Sequence, residues 1–340
     1  PEGTIDADVR LVSFWAGQRP VASLTYYACH PQSYYGRGGV SYDFMGMARA
    51  MREREVPDAL HIHFDGAGGN VAAGKYNDGS PENRPILAAR LAAGMKAAWQ
   101  SQRKVAISDG DVAWNVVPVS LPLRDELVEN SLAKGLADES LDLRARVRLA
   151  RDLAWTRRIK SGHEIPLACL RLGPVCILHM PGELCVEYQL AAQKMRPELF
   201  VCMAAYGDDG MGYICTQIAY SQGGYETGRV SRVAPQVEAV LTEAMDRLIE
   251  RLCTSGGSGA RRAEMLAFLQ ERHADRLDVL KGMYQWALNA NDETAAIALL
   301  KRLLDAEPEN EEYINRYTDL LDRNAAEREL IAWYEARAEA

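Results

Sequence analysis

The chain has 340 residues, more than one domain of about 100–200 residues needs, so two units are expected. Apolar residues make up 48% and charged residues 25%, which excludes a disordered or fibrous chain. A net charge of −8 without any Lys/Arg-rich run argues against a nucleic-acid ligand, and no run of about 18 apolar residues is present to span a membrane.

The chain opens Pro1-Glu2-Gly3-Thr4 with neither a Met nor a charged-then-apolar leader, and reads as the interior of a larger, trimmed or processed protein. Two β-rich runs follow, Val9–Ala16 and Pro20–Cys29, with a short turn at Gly17-Gln18-Arg19 that predicts a hairpin. Pro31 stops the second run just after His30. A helix is expected over Ser41–Arg54, with Phe44, Met47, Ala48 and Met51 on one face. Ala59–Phe64 reads as a strand that opens into a polar, glycine-rich stretch over residues 65–79. Another helix is expected over Ser80–Gln100, a strand over Val112–Leu121, and a charged helical segment over Arg124–Lys160 with a break near Gly135 and Ser140. Strands Leu167–Leu172 and Val175–His179 are joined by Gly173-Pro174. A helix from Glu183 to Met195, a strand at Leu199–Ala205 and a helix over Val233–Leu252 complete the unit. Strands alternating with helices predict an α/β fold: a mixed sheet with flanking helices.

Residues 253–259, Cys-Thr-Ser-Gly-Gly-Ser-Gly, have the composition of a flexible linker, either natural or engineered. The division expected is an α/β domain over 1–252, the linker, and a small all-α helical-hairpin domain over 260–340. The stretch Ala295–Asn310 resembles the second helix and closing proline of a tetratricopeptide repeat; a plain helical-hairpin bundle is the alternative. Its expected core is Leu266, Leu269, Leu277, Leu280, Leu299, Leu303, Tyr317 and Leu321. The seven cysteines, none in a C-x-x-C pair and most inside apolar runs, read as buried free thiols.

His30 stands where a strand ends, the usual place for ligands in α/β sheets, although a lone His there is also a common structural residue. Glu183, after Pro181-Gly182, is placed at a helix start, where the dipole favours a carboxylate, with Glu187 one turn on. The stretch Ala205–Tyr213 carries two carboxylates, three glycines and two tyrosines after a strand. His61 and His63 share a strand face with Asp65, so they form a rival metal set. The glycines at 66–69 match neither phosphate-loop nor dinucleotide spacing. The run Lys75–Arg84 is either a surface loop or a substrate-binding loop.

Four elements in order resemble the neutral/alkaline non-lysosomal ceramidase superfamily, over about residues 5–252. They are His30-Pro31-x-Ser33; Gly66-Ala67-Gly68-Gly69-Asn70-Val71-Ala72, echoing a Gly-Ala-x-Gly-Asp-Val-Ser loop; Pro181-Gly182-Glu183; and Tyr213 with Thr216, Tyr220, Gln222, Tyr225 and Glu226. Gly74–Gly79 and Ser221–Glu226 look most like uncharacterised bacterial ceramidase-like proteins. The resemblance implies one Zn²⁺ held by His30, Glu183 and Tyr213, with a further family histidine from an upstream segment. It also implies metal-activated water cleaving an amide or ester, Tyr225 stabilising the developing oxyanion, and Asn70 standing where the family has an acid. Ala72 replaces the family's serine, which turns the expectation from ceramide toward a small polar substrate. Lys75, Tyr76, Asn77, Asp78 and Arg84 are the expected substrate contacts, because leaving such groups unpaired against a lipid would cost about 1–3 kcal/mol each. The family implies a bacterial periplasmic or secreted protein. The competing reading is a catalytically incomplete binding or assembly protein that meets a protein partner through its helical C-terminal unit.

Overall fold

The computed structural model describes residues 3–37, 39–207, 209, 211–254, 277–289 and 292–323. The chain divides into two compact units, one on each side of the boundary between residues 258 and 259.

The first unit is α/β, with two mixed sheets. The first sheet has the order β1 (Arg10–Ala16), β2 (Arg19–Tyr27), β3 (Leu60–Asp65). β1 and β2 form the expected antiparallel hairpin, and Gly17, at φ 61°, supplies its left-handed turn residue. β3 joins β2 in parallel, and α1 (Asp43–Glu55) makes the crossover that a parallel pair requires. Phe44, Met45 and Ala48 of α1 pack with Leu87, Leu91 and Met95 of α2 (Asn83–Ser101) and with Ala28.

The second sheet has the order β4 (Val112–Val119), β5 (Ile165–Leu172), β6 (Val175–Pro181), β8 (Phe200–Gly207). The charged segment before β5 splits into α3 (Glu129–Leu136) and α4 (Leu143–Lys160). Asp138 accepts from the Ser140 amide to turn the chain, and Asp142 then caps α4 by accepting from the Ala145 amide at 2.8 Å. β6 and β8 are parallel, with α5 (Val186–Met195) between them in sequence. A short helix, α6 (Gln217–Gln222), follows; one large apolar cluster joins Leu167, Leu178 and Met203 of this sheet to Trp155 of α4 and to Leu241, Met245 and Leu248 of α7 (Val237–Thr254). Val12, Tyr26, Ile177, Cys202 and Ala204 form a second cluster drawn from both sheets, and β8 lies next to β2 and β3.

Three expectations need correction. Glu183 does not open a helix: Glu183–Leu184 is a short strand, β7, paired in parallel with β9 (Tyr213–Ile214). The amides of Glu183 and Cys185 donate to the carbonyls of Gly212 and Ile214, both at 2.9 Å, so they are spent on strand pairing and α5 starts only at Val186. Cys253 and Thr254 belong to α7 rather than to a linker, since neither residue type stops a helix already under way. The other linker positions, 255–259, lie outside the described residues. Finally, Cys185 and Cys215 form a disulfide, because β7 and β9 end side by side one residue before them. Cys29, Cys169, Cys176 and Cys202 are the buried free thiols that the sequence predicts.

Among the described residues of the second unit, α8 (Leu277–Asn289), α9 (Glu293–Ala306) and α10 (Glu311–Arg323) share one core. Leu280, Leu299, Leu303, Tyr317 and Leu321 are buried in it and Leu277 packs at its edge, while Leu266 and Leu269 lie outside the described residues. Among the described residues no helix is long and apolar enough to cross a membrane.

Candidate active site

Three backbone segments meet at the ends of β2 and β6. The chain continues from β2 through Ala28 and Cys29 to His30, whose amide donates to the Val71 carbonyl at 2.9 Å. The glycine stretch 66–69 is therefore wedged between the segment 28–30 and β7. A Cβ on Gly68 would lie 2.7 Å from the Cys29 nitrogen, and one on Gly69 would lie 2.5 Å from the Glu183 carbonyl oxygen. The glycines are required by this packing of backbone on backbone. Gly182, at φ 61°, turns the chain from β6 into β7.

The packing brings His30, Glu183 and Tyr213 to one point. His30 Nε2 lies 3.1 Å from Tyr213 Oη and 3.7 Å from Glu183 Oε2. These two separations bracket the roughly 3.4 Å edge of a tetrahedron whose metal bonds are about 2.1 Å, so His30 lies from each of the other two groups at the spacing of donors that share a zinc ion. Among the described residues no three His, Cys, Asp and Glu side chains cluster, and the third donor of this set is a phenol. Burial lowers the pKa of His30, a shift opposed by the charges of Glu183 and Glu226. Burial, then the Glu183 charge, raises that of the Tyr213 phenol; a cation at the centre would reverse this second effect. On its far side His30 meets Tyr206, whose Oη is 2.8 Å from Nδ1. Tyr225, 67% exposed, places its ring edge-on to Tyr213 at 5.6 Å between centroids.

Asn70 lies beside this point but is bonded into α5: its Oδ1 accepts from the Val186 amide at 2.8 Å and its Nδ2 donates to Glu187 at 2.9 Å. Of the expected substrate loop, Lys75 is exposed and, with Tyr76, occupies a short 3-10 turn. Asn77 is buried and donates to the Ser33 carbonyl at 2.8 Å. Asp78 accepts from the Ser80 amide and from Asn83 Nδ2. Arg84 donates to Ser33 Oγ at 2.6 Å and to Asp43 at 3.1 Å, and its guanidinium stacks 3.3 Å over Tyr34. These bonds tie the loop to the segment that follows His30.

The rival metal set does not converge. His61 Nε2 faces the Val56 carbonyl at 3.1 Å, while His63 Nδ1 pairs with Thr25 Oγ1 at 2.9 Å and its Nε2 lies 3.8 Å from Asp65. Sequence reasoning missed the contact of Tyr206 with His30, the Cys185–Cys215 disulfide and the pairing of Asp209 with His163 at 2.8 Å. Tyr206-Gly207 at a strand end was the available signal for the first of these.

The α/β unit thus gathers a His, a carboxylate and a phenol at its strand ends. No family model and no curated protein matches the chain. Among solved structures, the neutral ceramidase from Pseudomonas aeruginosa is similar with a TM-score of 0.50 at 18% identity, over 68% of this chain and 45% of that one. A ceramidase complexed with C2 gives 0.49 at 15% identity, over 71% and 48%. Over 68% of its length the chain shares the fold of the Pseudomonas aeruginosa neutral ceramidase, and it spans less than half the length of either structure.

Proposed function

We propose that this chain is a zinc-dependent hydrolase of the ceramidase-like type, with His30 Nε2, the Glu183 carboxylate and the Tyr213 phenol as protein ligands. The observation that carries the reading is the approach of Tyr213 Oη and Glu183 Oε2 to within 3.1 and 3.7 Å of His30 Nε2. Zinc held by these three and by the upstream histidine that the resemblance implies would lower the pKa of a bound water to near 7 and polarise a carbonyl. Tyr225, exposed and edge-on to Tyr213, is the group available to donate to the oxygen of a reacting amide or ester. Asn70 and Glu187 brace the start of α5 behind Glu183. Lys75, Tyr76, Asn77, Asp78 and Arg84 form the substrate side, with Asn77 and Arg84 shaping the loop and exposed Lys75 presented to a polar substrate. The disulfide favours an oxidising compartment, in keeping with a periplasmic or secreted enzyme.

The test is zinc binding followed by turnover. One zinc per chain is expected by elemental analysis, lost in His30→Ala and Glu183→Gln. The zinc-loaded protein is then assayed on a panel of small polar amides and acylated sugars, with ceramide alongside. Zinc uptake indifferent to His30 would overturn the metal assignment, and ceramide turnover well above the polar panel would overturn the substrate class.

A further inference from the structure

We propose that Tyr206 is the positioning residue for His30: its hydroxyl holds Nδ1, so that Nε2 is presented to Glu183 and Tyr213. The inference rests on reading His30 as a metal donor. A histidine that offers one ring nitrogen to a ligand needs its other nitrogen fixed, otherwise the ring rotates and both tautomers are populated. Here Nε2 faces the donor cluster, and Tyr206 Oη is 2.8 Å from Nδ1.

The backbone is distorted at the residue that makes this contact. Along β6 and β8, His179 pairs with Ala204 and Pro181 with Gly207, so Met180 stands opposite both Ala205 and Tyr206. This is a β-bulge, a device that re-aims a side chain out of strand alternation. Tyr206 has φ 59°, a left-handed conformation costly for an aromatic residue. Three contacts hold it there. Its amide donates to the Gly182 carbonyl at 2.9 Å, the carbonyl of the residue preceding Glu183. Gly207 passes so close to β6 that a Cβ on it would lie 2.8 Å from the Met180 carbonyl oxygen. Three residues further on, Asp209, itself at φ 66°, is gripped by His163 Nε2 at 2.8 Å and by Arg158. A plain strand end would carry the Tyr206 ring elsewhere; the bulge directs it to His30.

The experiment uses the whole chain and Tyr206→Phe, with Tyr35→Phe as a control whose hydroxyl donates to the Asn77 carbonyl. Zinc affinity, measured by competition with a chromophoric chelator, should fall about 10–100-fold in Tyr206→Phe, the range for losing a partner behind a metal-bound histidine. It should stay unchanged in Tyr35→Phe. On the metal-free protein, the ring ¹⁵N shifts of His30 should show a changed tautomer ratio in Tyr206→Phe, while those of His63 and His179 stay put. Wild-type protein should also show a cross-relaxation peak between the His30 and Tyr206 rings, a measurement that needs no variant. Unchanged zinc affinity with unchanged His30 shifts, or no contact peak in the wild type, would overturn the proposal. If wild-type protein takes up no zinc through His30, the hydrolase reading falls, and the ring shifts and contact peak still decide whether Tyr206 holds the imidazole.

Discussion

Gly69 shows how little room the site leaves. Its missing side chain is what lets the 66–72 segment lie on β7, with its amide donating to the Leu184 carbonyl at 2.7 Å. In Gly69→Ala the new methyl would lie 2.5 Å from the Glu183 carbonyl oxygen and 2.7 Å from that of Leu184. Backbone cannot yield as a flexible side chain does, so a loss of about 1–3 kcal/mol is expected in urea unfolding. Gly74→Ala, whose methyl would meet only the Tyr35 hydroxyl at 3.5 Å, should cost far less. Equal effects of the two would show that the close approach is unimportant. Asp65 offers a second residue-level test. Burial raises its pKa to about 6, while burial beside Arg49 lowers that of His63 to about 4. A carboxyl whose folded pKa is raised favours the fold below the unfolded value of 3.8, and that contribution is lost as pH rises through about 6. Asp65→Asn should therefore gain stability relative to wild type between about pH 4 and 6 and keep the gain above. The gain should reach up to about 2 kcal/mol, allowing for the 32% of the side chain that solvent reaches. A stability difference that does not change with pH would refute this.

At the scale of elements, two strands of two residues each carry Glu183 and Tyr213. They are register partners, Leu184 pairs with Ile214, and the disulfide closes the next rung. Pairs so short have little stability of their own, so the covalent bond reinforces the pairing that sets Glu183 opposite Tyr213. It spans a sequence separation of 30 residues, for which chain-entropy arguments give about 2–4 kcal/mol. Cys215→Ser, or reduction of the wild type, should lower the melting temperature and weaken zinc binding together; a melting temperature unmoved by reductant would contradict this. The longer elements were legible because their periods are long enough to read. The turn announces the β1–β2 hairpin, an apolar face announces α1, and Gly173-Pro174 announces the β5–β6 hairpin. β7 and β9 were not legible, because two residues hold no period, and Pro181-Gly182-Glu183 ahead of an apolar helix reads as a helix start. The disulfide was hidden for the same reason: without the pairing, nothing in the sequence sets Cys185 and Cys215 apart from the other cysteines. The ligand role proposed for His30, Glu183 and Tyr213 comes only from the family resemblance, since spacing alone says nothing about residues brought together by the sheet.

At the scale of the molecule, the second unit shows how far periodicity alone can go. Of the eight residues that helical spacing assigns to a core, Leu280, Leu299, Leu303, Tyr317 and Leu321 are buried in it, Leu277 packs at its edge, and Leu266 and Leu269 lie outside the described residues. The first unit works differently, since its candidate site is made of strand ends far apart in the sequence: His30 and Tyr213 are separated by 183 residues. Between them, residues 103–108 run exposed and without regular structure ahead of β4. Opening the backbone there would leave His30 on one piece and Glu183, Tyr206 and Tyr213 on the other, with the disulfide intact on the second. The two pieces would then be halves of a complementation pair, each silent alone, whose reunion is reported by the recovered meeting of one imidazole with two phenols.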